Sequence, residues 1–173
     1  MTSEVPAERA TQLEVARKIA LDQLAVRQRS EQELRTAMAR RGVPEDVADE
    51  ILERFSDVGL VDDASFAASL TASRSGFGLR GKMRIRQELQ TKGIERHVAD
   101  EALAGLSRDD ERRAALTLAR RKMRSMAALE PAVARRRLYG ALARRGFDGG
   151  VVASVVDEVM GESEEAGVAD DEF

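Results

Sequence analysis

The sequence predicts an all-α protein, a tandem array of three three-helix repeats, elongated or curved. Three observations carry that expectation. Helix-favouring residues dominate the 173-residue chain, with Pro numbering 3 and Trp 0. No stretch alternates apolar and polar residues as a half-buried strand does. Above all, the chain repeats itself. Aligned on Gly42, Gly93 and Gly146, it carries Leu34, Ile85 and Leu138 eight residues upstream and Met38, Leu89 and Leu142 four upstream. Val43, Ile94 and Phe147 follow the glycine directly, and Val47, Val98 and Val151 stand five after it. Leu52, Leu103 and Val156 come ten after, and Phe55, Leu106 and Val159 thirteen after. Apolar positions that recur about every 50 residues, while most polar ones differ, mark stacked helical units.

The elements follow in order. Met1–Ala10 contains Pro6 and no apolar face, so residues 1–12 are expected to form a disordered arm. The first repeat, 13–58, opens with a helix over Leu13–Arg27, with Ala16, Ile19, Ala20 and Leu24 on one face. Ser30 and Glu33 form a capping box for a second helix running to Arg41. Gly42 stops it, because glycine takes the left-handed conformation without a Cβ clash. Pro44, Glu45 and Asp46 suit the first turn of a third helix. The second repeat, 59–107, restarts after Gly59, and Asp62 or Asp63 caps a helix from Ala64 to about Ser73. Arg74–Gly81 reads as a glycine-rich loop, followed by the helices Lys82–Lys92 and Glu95–Leu106. In the third repeat, 108–160, Ser107 and Asp110 make a second capping box for Asp109–Arg124, expected to be the longest helix. Helices over Ala132–Arg145 and Gly150–Met160 complete it. Residues 161–173 have the composition of a disordered acidic tail. A single repeat is too small to be more than marginally stable alone, so the units are expected to pack on their neighbours.

Composition removes several function classes. Without Cys there is no disulfide framework and no thiolate metal site, and one His argues against a histidine-ligated zinc. His97 reads as a surface polar residue, and Asp62–Asp63 as a cap with a solvated neighbour. No apolar run approaches 18 residues and no charged-then-apolar leader opens the chain, so the cytoplasm is the default location. Gly76–Phe77–Gly78–Leu79–Arg80–Gly81 spells GxGxxG, but a helix precedes it where a dinucleotide fold needs a strand. Its amides and Arg80, beside a helix N-terminus, could still hold a phosphate. No Walker lysine and no serine–histidine arrangement occurs, so neither enzymatic activity nor a cofactor is expected.

The net charge of −3 conceals a segregation. Eight acids and no base lie from Asp157 to the end, leaving 28 bases against 23 acids elsewhere. Arg112–Arg145 holds eleven bases and one acid, Glu130. A basic body with an acidic tail points to a polyanionic or acidic partner. The candidate binding residues begin with Arg74 and Arg80 at the glycine-rich loop and Lys82, Arg84, Arg86 and Lys92 around the next helix. The third repeat adds Arg120, Arg121, Lys122, Arg124, Arg135, Arg136, Arg137, Arg144 and Arg145. Only Tyr139 stands among these arginines. Contact with single- or double-stranded DNA is therefore expected through phosphates rather than stacked bases.

Several motifs resemble the RecX family of recombination regulators. They are Arg29–Ser30 with Glu33–Leu34, Val61–Asp62–Asp63–Ala64–Ser65–Phe66–Ala67, and Ser73–Arg74. The most specific is Arg84–Ile85–Arg86–Gln87–Glu88–Leu89 followed by Lys92–Gly93–Ile94. The resemblance covers roughly Ala16–Met160 and leaves out the tail. It implies a small modulator of the RecA recombinase, built as an elongated array of three-helix repeats. Such a protein binds along the groove of the RecA–DNA filament and suppresses ATPase, strand exchange and co-protease action in DNA repair and the SOS response. A monomer with no membrane partner is expected. Two other readings stand beside this one: a free-standing nucleic-acid-binding helical-repeat protein, and a helical scaffold for an unrelated protein.

Overall fold

The computed structural model describes the backbone of residues 4–170 and the side chains of residues 7–163. Among the described residues there are nine helices and no strand. They are α1 (Glu4–Val26), α2 (Glu31–Ala39), α3 (Glu45–Asp57), α4 (Asp63–Gly76), α5 (Lys82–Thr91), α6 (Arg96–Ala104), α7 (Arg108–Met123), α8 (Pro131–Arg144) and α9 (Gly149–Asp170). Each repeat takes three.

Local chemistry sets the boundaries. Ser30 Oγ accepts from the Glu33 N–H at 3.2 Å, and the Ser30 N–H donates to Glu33 Oε2 at 3.3 Å. Ser107 and Asp110 build the same box for α7. Asp62 caps α4 by accepting from the Ser65 N–H at 2.9 Å. Asp63 turns elsewhere: its Oδ1 accepts from the Glu31 N–H at 2.9 Å, satisfying a first-turn donor of α2. Burial raises this carboxyl above its ordinary range. Gly42, Gly93 and Gly146 have φ of +74°, +77° and +79°. The left-handed turn lets the next N–H reach back, Val43 to Met38 O at 3.2 Å and Ile94 to Leu89 O at 3.1 Å.

Every apolar position of the repeat is buried except Val43 and Val98, which are half-buried. In the first repeat Ala16 and Ala20 of α1 pack with Leu34, Met38, Val47, Ile51, Leu52 and Phe55. In the third, small residues of α7 (Ala114, Ala115, Ala119) admit α8 and the valines of α9 to close range around Leu118, Leu138 and Leu142. The chain divides into two compact units, Met1–Ala68 with Leu89–Ala99, and Ser69–Glu88 with Asp100–Phe173. The division passes through α4, α5 and α6. The first repeat thus lies wholly in one unit and the third wholly in the other.

Three expectations change. Helix α1 begins at Glu4 and α9 continues to Asp170, so helix replaces disorder over the described parts of 1–12 and 161–173. Pro6 falls in the first turn of α1, where a missing N–H has no helical partner to lose. Arg9 then ties this end to α3 through Asp46 at 2.5 Å and Glu50 at 2.7 Å. At the other end Glu and Ala favour helix, and Arg120 holds Glu162 at 2.5 Å. Residues 1–3 and 171–173 lie outside the described residues. The longest helices are consequently α1 and α9, of 23 and 22 residues, rather than α7 with 16. Finally, α4 continues through Arg74 to Gly76, which leaves only Phe77–Gly81 as loop.

Candidate functional site

The candidate cations separate into those held by acids and those left to solvent. At the α4–α5 junction Glu88 accepts from Arg74 Nε at 2.9 Å and Nη2 at 2.8 Å, and from Arg80 Nη1 at 2.5 Å. One carboxylate therefore ties the end of α4, the loop and α5 together. Arg145 Nη1 donates to Gly78 O at 3.1 Å, while the Gly81 and Met83 N–H groups donate to Arg145 O at 2.9 Å and Gly146 O at 3.2 Å. A Cβ on Gly78 would stand 2.7 Å from Arg74 O, and one on Gly81 would overlap Gly146. Close backbone approach explains these glycines without a nucleotide. The phosphate alternative is displaced as well. The Lys82 N–H at the start of α5 donates to Glu111 Oε1 at 3.1 Å, and Glu111 is buried. A protein carboxylate fills the place that a phosphate would take.

Two more candidates are paired, Arg86 with Asp100 at 2.8 Å and Lys92 with Glu33 at 2.6 Å. Burial pulls the Glu33 carboxyl up, but hydrogen bonds from Arg27, Lys92 and the Ser30 N–H more than offset this and lower it to about 2. In the third repeat two more are held by α9: Arg120 by Glu162, and Arg135 by Asp157 at 2.5 Å. The rest stand apart. Lys82, Arg121, Lys122, Arg124, Arg136, Arg137 and Arg144 have no side-chain partner among the described residues. Arg84 bonds the neutral Gln87 amide at 2.7 Å. Burial of Ala134, Leu138 and Leu142 turns Arg136 and Arg144, two helical turns apart, to the opposite, solvent side of α8. Arg121, Lys122 and Arg124 close α7, where cations suit the negative end of the helix dipole.

Sequence reasoning missed Glu88, Glu111 and Phe77. Nothing in the sequence pairs Glu88 with Arg74, fourteen residues upstream, since the partnership depends on how α4 meets α5. Phe77 entered only as a letter of GxGxxG, yet it is 95% exposed. A glycine on each side of a lone aromatic was the available signal.

Similarity to known proteins decides the family. Residues 16–55, 62–103 and 109–156 match in turn the first, second and third three-helix domains of RecX. The chain belongs to the RecX family. It is 43% identical over 144 residues to the Regulatory protein RecX of Mycobacterium ulcerans (strain Agy99), covering 83% of each chain. With the protein of the same name from Streptomyces coelicolor it shares 37% over 154 residues, 88% of this chain and 81% of the other. The crystal structure of RecX from Lactobacillus salivarius has the same fold, with a TM-score of 0.79 at 21% identity over 87% of this chain and 97% of that one. A second crystal structure of regulatory protein RecX gives 0.80 at 25% identity, covering 91% and 78%. The RecX relatives are named as regulators, which is not an enzyme class. Among the described residues no helix is long and apolar enough to cross a membrane.

Proposed function

We propose that this chain binds the RecA–DNA filament and inhibits RecA's ATPase, strand exchange and co-protease activities. The uncompensated cations of the third repeat and of α5 make the electrostatic contact. The observation that carries the reading is the absence of acid partners for Arg121, Lys122, Arg124, Arg136, Arg137 and Arg144 among the described residues. Membership of a family of regulators makes a nucleoprotein filament the natural polyanion for them. Arg74 and Arg80, bound to Glu88, serve the scaffold of the site rather than its charge.

The test is RecA ATPase on single-stranded DNA, titrated with the wild type and with Arg136→Glu/Arg137→Glu/Arg144→Glu. Substoichiometric wild type is expected to inhibit, and the triple variant to need at least about tenfold more protein. A wild type without effect removes the filament reading. A triple variant as potent as the wild type keeps that reading but moves the site elsewhere.

A further inference from the structure

The filament reading leaves Phe77 unused. Its ring is 95% exposed, in a chain whose Phe55, Phe66 and Phe147 are buried. The loop beneath it is fixed. The Phe77 and Gly78 N–H groups both donate to Ser73 O at 3.1 Å, and the Arg80 N–H to Arg74 O at 3.0 Å. Glu88 clamps Arg74 and Arg80 from below. Leu79 adopts φ +47° and is buried in the α7–α9 core. A non-glycine residue in that region costs about 1–2 kcal/mol and persists where its surroundings over-determine it. The loop therefore presents an apolar tip on a braced base, and a backbone already ordered loses little conformational freedom on binding.

We infer that Phe77 is a docking anchor whose ring enters an apolar pocket on a protein subunit of the filament, an inference that rests on the filament reading above. Charge favours a protein pocket over a stacked base. Phe77 directly follows the C-terminus of α4, whose last carbonyls carry partial negative charge that repels phosphate. The guanidiniums of Arg74 and Arg80 already share the Glu88 carboxylate, so a phosphate approaching either one meets an anion. The donors at the start of α5 are occupied by Glu111 and Gly146. Aromatic side chains are enriched at the buried centres of protein interfaces, where a few anchors carry most of the affinity.

The chain has no Trp, so Phe77→Trp supplies its sole indole, which can be excited selectively over Tyr139. With full-length protein, Phe77→Trp emission is expected to shift to the blue on RecA–single-stranded DNA filaments, with inhibition retained and no change on the oligonucleotide alone. Phe77→Ala should weaken filament binding and ATPase inhibition at least about tenfold. Its melting temperature and its affinity for free oligonucleotide should match the wild type. Undiminished inhibition by Phe77→Ala overturns the anchor while the filament reading stands. Quenching of Phe77→Trp by the oligonucleotide, together with weaker DNA affinity in Phe77→Ala, overturns it in favour of base stacking. A wild type that fails to bind the filament removes both readings.

Discussion

Most arginines of the first repeat are held, as is Arg9 on the stretch of α1 that precedes it. Arg9 reaches Asp46 and Glu50, Arg35 reaches Glu31 and Asp49, Arg54 reaches Glu50, and Arg27 reaches Glu33. Of its bases over 13–58, only Arg40 and Arg41 lack a side-chain partner among the described residues. In the third repeat the proportion reverses. α9 reaches Arg112, Arg120 and Arg135, and Arg113 reaches Asp110, but Arg108, Arg121, Lys122, Arg124, Arg136, Arg137 and Arg144 have no side-chain partner among the described residues. The cores obey one pattern, with Leu34 and Met38 matched by Leu138 and Leu142, all fully buried. The difference lies in the acids. α3 carries Asp46, Asp49 and Glu50 on the side that faces α1 and α2, whereas the acids of α9 begin only at Asp157, far along that helix. One architecture thus yields a self-neutralised unit and a cationic one.

The largest effect should come from reversing charge in the two repeats separately. Arg136→Glu/Arg137→Glu/Arg144→Glu is expected to weaken oligonucleotide and filament binding on the order of a thousandfold at low salt. It should also flatten the log–log salt slope by roughly 0.7–0.9 for each phosphate that is no longer neutralised. Arg35→Glu/Arg54→Glu should leave binding within about twofold, because those guanidiniums are already committed to carboxylates. Fluorescence anisotropy at several salt concentrations reads both. Equal weakening in the two variants would break the comparison.

The turn glycines sharpen it next. A side chain at either Gly42 or Gly146 meets the cost of a left-handed backbone, about 1–2 kcal/mol. Around Gly42 a Cβ finds open space, whereas at Gly146 it would overlap the backbone of Arg84. Gly42→Ala should therefore cost about 1–2 kcal/mol. Gly146→Ala should cost about 3 kcal/mol or more, since backbone rather than a flexible side chain must move. Urea denaturation of both variants checks this, and equal destabilisation would mean that the neighbouring backbone of α5 yields freely.

These pairs show which features a sequence carries. The turn glycines, capping boxes and repeat apolar positions were legible because each depends on neighbours within one or two turns. Pairing was not. Arg120 and Arg124 look alike in sequence, yet one meets Glu162 across α7 and α9 and the other meets no acid among the described residues. Helix in the terminal segments was misjudged for the same reason, since Arg9 with Asp46 joins residues 37 apart. Phe77 was passed over because its exposure follows from the bracing of its loop, not from its neighbours in sequence.

A smaller effect concerns pH. Glu33 in the first repeat lies at about 2 against an ordinary 4.5. A carboxyl depressed on folding stabilises the native state above its unfolded value, and that stability is lost as pH falls from 4.5 toward 2. Each unit is worth about 1.4 kcal/mol, so after screening Glu33 contributes about 2–3 kcal/mol at neutral pH. Glu33→Gln should lower stability by about that amount at pH 7 and converge with the wild type near pH 2. Denaturation at several pH values tests it, and parallel curves would show that the hydrogen bonds to Arg27 and Lys92 do not persist in solution.

The smallest effect concerns the acids that α9 does supply. Glu158 lies against Arg112 and, at 3.7 Å, Arg120, while Glu162 accepts from Arg120 Nη2 at 2.5 Å. These pairs are largely solvated, so Glu158→Gln/Glu162→Gln should leave the melting temperature nearly unchanged. It should still raise oligonucleotide affinity a few-fold at low salt, because two arginines beside the uncompensated set would no longer be shared with carboxylates. The increase should vanish at high salt, where screening weakens both kinds of interaction. An affinity unchanged at low salt would mean that Arg112 and Arg120 lie outside the binding surface. The functional charge of the third repeat would then be confined to the ends of α7 and the solvent side of α8.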